Sequence, residues 1–154
     1  MLENMHIRVY NKVYIKYYKG DCRMTRKQAR EEAFILIFEK LFNDCSIDEI
    51  LELAAEVRDL VPDEYIKNVF KGVFDNLDTI DGIINENAIG WKINRISKTA
   101  LSVLRLSIYE MKFYDEIPVS VSINEAVELC KKYATKEDAS FVNGILSTVA
   151  KSLN

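Results

Sequence analysis

The side chains in this chain best placed for chemistry are cations. Arg23, Arg26, Lys27 and Arg30 fall close together. If they open a helix they oppose its macrodipole, at a cost of roughly 0.3–1 kcal/mol per charge at low salt. An anionic partner reverses that sign, because guanidinium groups and first-turn N–H groups would face phosphates together. The competing reading is a solvated charge run, partly neutralised by Glu31 and Glu32 directly behind it, and spacing alone favours this plainer reading. A second basic set, Lys131, Lys132 and Lys136, surrounds Tyr133. Lysines complement a helix C-terminus without any ligand, while a tyrosine among them could stack on an unpaired base, and spacing leaves both open. Arg105 sits between Leu104 and Leu106, where an unpaired charge is costly, so a structural partner is expected in Glu110 or Glu125.

Other chemistry is poorly supplied. The single histidine is His6, and Cys22, Cys45 and Cys130 stand far apart with no Cys-x-x-Cys pair. No zinc site, disulfide framework or nucleophile–histidine set is signalled. The five glycines, Gly20, Gly72, Gly82, Gly90 and Gly144, are isolated from one another, so no phosphate-cradling loop exists to hold a nucleotide. The acids are scattered rather than convergent. A non-enzymatic protein without metal or cofactor is expected. The net charge of −3 would argue against nucleic acid if spread evenly, so the local surplus decides. The longest apolar runs, such as Ala33 to Phe38, are too short to cross a bilayer, and the interrupted N-terminal segment does not suit a secretory signal. A cytoplasmic location follows as the expectation.

The elements that must carry these groups are helices. Residues 1–23 alternate apolar and polar side chains, from Ile7, Val9 and Val13 to Ile15 and Tyr17, with a period that suits a strand but no later partner strand. They read as a disordered or loosely attached arm ahead of a natural start at Met24, or alternatively as an RNA-contacting arm of cations and tyrosines. From Met24 the period becomes helical. Thr25 with Gln28 and Ser46 with Glu49 have capping-box spacing, opening one helix that ends near Asn43 and a shorter one with Ile50, Leu51, Leu53, Ala54 and Val57 inward. Pro62, Asp63 and Glu64 start a third, whose apolar face runs from Ile66 to Ile84 as one long helix. Gly90 breaks the pattern. Trp91, Ile93 and Ile96 connect to a helix faced by Ala100, Leu101, Leu104, Ile108 and Met111. Ser122 with Glu125 is expected to cap the next helix, and Thr135 with Asp138 the last. The fold class is all-α: six or seven helices in two small packed bundles, about 24–90 and 91–154.

The second half also resembles a known family. Trp91, Arg95 and Ile96 lead into Leu104-Arg105-Leu106-Ser107-Ile108-Tyr109-Glu110. Ile117-Pro118, Ile123-Asn124-Glu125-Ala126-Val127-Glu128-Leu129, Lys132-Tyr133 and Phe141-Val142-Asn143-Gly144-Ile145-Leu146 follow in the same order. This order resembles the NusB family of transcription antitermination factors, from Met24 to the C-terminus. The resemblance implies an all-helical protein that binds the boxA element of nascent ribosomal RNA together with NusE, a small-subunit ribosomal protein. The pair joins an RNA polymerase complex that reads through terminators. It also implies RNA contacts from Arg26, Lys27, Gln28 and Arg30, although Lys27 departs from an arginine fork and the cluster is lean. It also places RNA near the turn before the last helix, here Glu137, Asp138 and Phe141, of which Phe141 alone would ordinarily read as core; with the basic set read above, the secondary RNA candidates are Lys132, Tyr133, Lys136, Glu137 and Phe141. The alternatives are a NusB-like RNA-binding domain of a ribosomal RNA methyltransferase, whose catalytic half would have to follow Asn154, and a homodimer that hides the RNA surface until NusE arrives.

Overall fold

The computed structural model describes residues 24–153; the arm expected at 1–23, with Arg23, lies outside the described residues. Among the described residues there are seven α-helices and no strand: α1 (Arg26–Lys40), α2 (Ile47–Arg58), α3 (Glu64–Asp75), α4 (Leu77–Asn87), α5 (Lys98–Phe113), α6 (Val119–Tyr133) and α7 (Lys136–Leu153), with a 3₁₀ turn at Ile93–Arg95 before α5.

Local chemistry explains most of the helix starts. Thr25 and Gln28 form a reciprocal capping box, the Gln28 N–H donating to Thr25 Oγ1 at 3.2 Å and the Thr25 N–H to Gln28 Oε1 at 2.8 Å. Ser46 and Glu49 repeat it at α2. Asp63 caps α3 by accepting the Ile66 N–H, and Thr135 Oγ1 accepts the Asp138 N–H at the start of α7. Each cap satisfies amides that the first turn leaves without an intrahelical partner.

Two helix expectations are corrected. The single long third helix is broken at Asn76, whose backbone leaves helical geometry and whose Nδ2 donates to the Gly72 carbonyl, so α3 and α4 are separate. Ser122 is not a cap. The chain enters α6 at Pro118, which places Ser122 inside the helix, buried, with its hydroxyl donating to Glu110.

One buried apolar cluster runs through the described chain. Its axis is α1, in which every residue from Ala29 to Phe38 is buried. Phe34, Leu36 and Ile37 belong to the same buried cluster as Ile66 and Phe70 of α3, Leu104 and Ile108 of α5, and Val142, Leu146 and Val149 of α7. A helix buried all round must carry its charged residues inward or at its ends, and α1 does both.

Candidate nucleic-acid interface

The cations at the start of α1 do not share one fate. Arg26 and Lys27 are exposed, with the Arg26 guanidinium 4.2 Å above the Tyr65 ring centroid. That ring fixes where the charge is presented by attraction to its negative face. Gln28 is half-buried, and its side chain is turned back into the capping box. Arg30 is 5% exposed. Its Nε donates to Glu110 Oε2 at 2.8 Å and Oε1 at 3.2 Å, and its Nη1 lies 3.9 Å from Glu125. The expectation that Arg30 stands beside Arg26 and Lys27 as a surface cation is therefore corrected: one turn further along nearly the same face, Glu110 of α5 and Glu125 of α6 lie against the helix and hold its side chain in the core.

Glu110 is the centre of this buried polar group. Its carboxylate also accepts from Tyr65 Oη at 2.5 Å and Ser122 Oγ at 2.9 Å, so α1, α3, α5 and α6 all meet on it. Burial alone would lower the affinity of the Arg30 guanidinium for its proton, but the hydrogen bond and charge of Glu110 prevail and push it up. Burial and the neighbouring Glu110 carboxylate push the Tyr65 hydroxyl well above its ordinary range, keeping it a neutral donor.

The acids behind the cluster are also committed. Glu31 accepts from Lys132 and from the Tyr133 hydroxyl, tying α1 to the end of α6, while the Tyr133 ring packs 5.2 Å from Phe34. Glu32 pairs with Arg58 of α2. Burial pushes the Glu32 carboxyl up even against the opposing charge of Arg58. These charges do not simply neutralise Arg26 and Lys27, because each has a partner on another helix. Arg105 likewise pairs elsewhere than expected: its Nε and Nη2 donate to Asp81 Oδ1 and Oδ2 at 2.9 and 2.8 Å. Glu110 lies five residues on, about 140° around the same helix, and belongs to Arg30.

Three surface features remain around these pairs. A cleft of about 220 Å³ between α1 and α6 is lined by Lys27, Arg30 and Lys132, by Glu31, Glu125 and Glu128, and by Leu129. Beyond it Lys136 and Glu137 are exposed on the first turn of α7. Phe141 is half-buried and stands edge to face with Trp91, ring centroids 5.7 Å apart, and Trp91 is 54% exposed beside the almost fully exposed Ile89. Sequence reasoning placed Trp91 in an apolar connector, and only its exposure marks it as a surface group. The positive φ of Gly90, 82°, turns the chain at that point. The arrangement offers cations, a cleft lined by charges of both signs, and an aromatic pair of which Trp91 is exposed and Phe141 half-buried. Among the described residues no cluster of metal-ligating side chains is present, and no helix is long and apolar enough to cross a membrane.

A family model, the NusB family, matches residues 27–151. The transcription antitermination protein NusB of Ruminiclostridium cellulolyticum is 46% identical over 130 residues, 83% of this chain and 90% of its own length. The protein of the same name from Acetivibrio thermocellus is 48% identical over 130 residues, with the same coverage. Among solved structures, T. maritima NusB is similar with a TM-score of 0.74 and 34% identity, covering 84% of this chain and 92% of that one. A crystal structure of the antitermination factors NusB and NusE in complex with dsRNA is similar with a TM-score of 0.74 and 27% identity, covering 82% and 96%. With a family match over most of its length and relatives this close, the chain belongs to the NusB family.

Proposed function

We propose that the chain is a cytoplasmic, non-enzymatic transcription antitermination factor that holds boxA RNA of nascent ribosomal transcripts together with NusE, inside an RNA polymerase complex that reads through terminators. The observation that carries this reading is the exposed pair Arg26 and Lys27 at the N-terminus of the central helix, where cations have the wrong sign for the helix and the right sign for phosphate. Lys136, exposed on the first turn of α7, adds a further cation beyond the cleft, while Lys132 at its wall is held by Glu31. Phe141 with Trp91 offers ring faces to unstacked bases, an energetic term that charge cannot supply. Arg30 and Gln28 serve this surface indirectly, by anchoring and capping the helix that presents it. Two weak surfaces joined through NusE raise the effective concentration of each at the RNA, so neither has to bind tightly alone.

The test is binding of the full chain to a fluorescent boxA RNA and a scrambled control, with and without NusE, across a salt series. Selective binding strengthened by NusE is the expected result. Equal, weak binding to both RNAs would retire the boxA assignment and leave non-specific contact.

A further inference from the structure

The apolar face expected to bury α2 is only partly used. Ile50 and Ala54 are buried, but Leu53 and Val57, one turn apart, are 49% and 60% exposed, and Val61 just beyond the helix is 81% exposed. Between this stripe and the C-terminal half of α1 runs a groove of about 180 Å³, walled by Ile50, Leu53, Ala54 and Val57 on one side and by Glu39 and Asn43 on the other. Arg58 closes it. The Arg58 side chain is 6% exposed; Nη1 pairs with Glu32, while Nη2 stands 3.8 Å from Glu39 Oε2, too far for a hydrogen bond. Among the described residues, Arg58 Nη2 and Glu39 Oε1 are buried without a hydrogen-bond partner. An apolar groove with an unmet donor and an unmet acceptor at its edge is complementary to something the chain does not itself supply there.

Charge identifies the occupant. Residues 41–66 carry Asp44, Asp48, Glu49, Glu52, Glu56, Asp59, Asp63 and Glu64 against one cation, Arg58, and that cation is committed to Glu32. Glu49, Glu52 and Glu56 flank the Leu53–Val57 stripe on its outer side at helical spacing. RNA is repelled by such a rim. A second copy of the chain, paired through the same face about a two-fold axis, would set carboxylates against carboxylates. We infer that the groove between α1 and α2 is a docking site for a basic amphipathic helix of a protein partner. The partner's apolar face lies on Leu53 and Val57, its Lys or Arg side chains reach Glu52 and Glu56, and its donors reach Glu39. The groove is separate from the cationic surface: Glu39 lies thirteen residues along α1 from Arg26, about 20 Å at 1.5 Å per residue.

The experiment uses the full chain and a synthetic amphipathic helix of about 18 residues, five turns, built from Leu and Lys at three-and-four spacing, with a Leu/Glu counterpart as control. Binding is read by fluorescence anisotropy at low and high salt and by methyl NMR. The Leu/Lys peptide is expected to bind and to shift the methyl signals of Ile50, Leu53, Ala54 and Val57, and the Leu/Glu peptide to leave them unmoved. Leu53→Ser with Val57→Ser, both at exposed positions, should weaken binding about tenfold or more through lost apolar contact, while RNA affinity stays unchanged. Glu52→Lys with Glu56→Lys should weaken it and flatten its salt dependence. Equal binding of both peptides, or shifts confined to other helices, would overturn the inference. Self-association of the chain that the serine pair abolishes would also overturn it, by giving the face to a second copy.

Discussion

Neighbouring cations on the first two turns of α1 have opposite duties, and substitution separates them. Arg26 and Lys27 are exposed, so replacing both with Gln should leave the fold intact and weaken boxA binding. It should also reduce the steepness of the log affinity against log salt plot by about 1.4, for two phosphate contacts on a single strand. Fluorescence anisotropy across a salt series measures this. Arg30→Met should behave differently. It keeps the buried volume but strips the cation from Glu110, which accepts from Arg30, Tyr65 and Ser122. An uncompensated buried carboxylate costs about 3–5 kcal/mol, which a urea titration would show as a lowered midpoint. A variant as stable as the parent but poor in RNA binding would return Arg30 to the contact surface. The sequence shows four similar cations in this region; Arg26 and Arg30 lie only about 40° apart around the helix, so that the last one is buried is decided not by rotation but by Glu110 of α5 and Glu125 of α6, which lie against the second turn and leave the first open.

Among the elements, the α3–α5 contact depends on one missing side chain. A Cβ on Gly72 would stand 2.1 Å from Tyr109 Oη and 2.2 Å from Cζ. The Tyr109 ring is itself held by Phe113 and Tyr114, at 4.9 and 6.1 Å. Gly72→Ala should therefore destabilise the protein by about 1–3 kcal/mol through overpacking, although alanine improves helix propensity by about 1 kcal/mol. Thermal melts of Gly72→Ala alone and in a Tyr109→Leu background check this, and the penalty should shrink in the second. From sequence Gly72 is merely a tolerated helix breaker, because the tyrosine that requires it is 37 residues away. The caps at Thr25, Ser46 and Thr135 were legible, since a cap is a contract among residues three apart. Ser122 has the same spacing to Glu125 and is no cap, because Pro118 has already started the helix and Glu110 waits for the hydroxyl. The break at Asn76 was hidden by an apolar period that continues across it from Val73 to Leu77 and Ile80.

At the scale of the molecule, one apolar cluster among the described residues joins both sides of Gly90, so unfolding should be one cooperative transition. Trp91, the only tryptophan, reports from the connector, and its fluorescence should lose native signal at the same urea concentration as the far-ultraviolet circular dichroism. Two separated midpoints would show two independently stable halves. Period, capping and composition act within a few residues, so the all-helical class, most helix starts and the basic front of α1 are legible along the chain. The packing of distant helices sets the rest: Arg30 belongs to Glu110, Arg105 to Asp81 rather than to Glu110 or Glu125, and Leu53 and Val57 stay outside. The physical reason is the same in each case. A buried charge takes whichever opposite charge the packing brings within about 3 Å, and an apolar side chain is buried only if another helix arrives to cover it, and neither neighbour is written in the spacing along the chain.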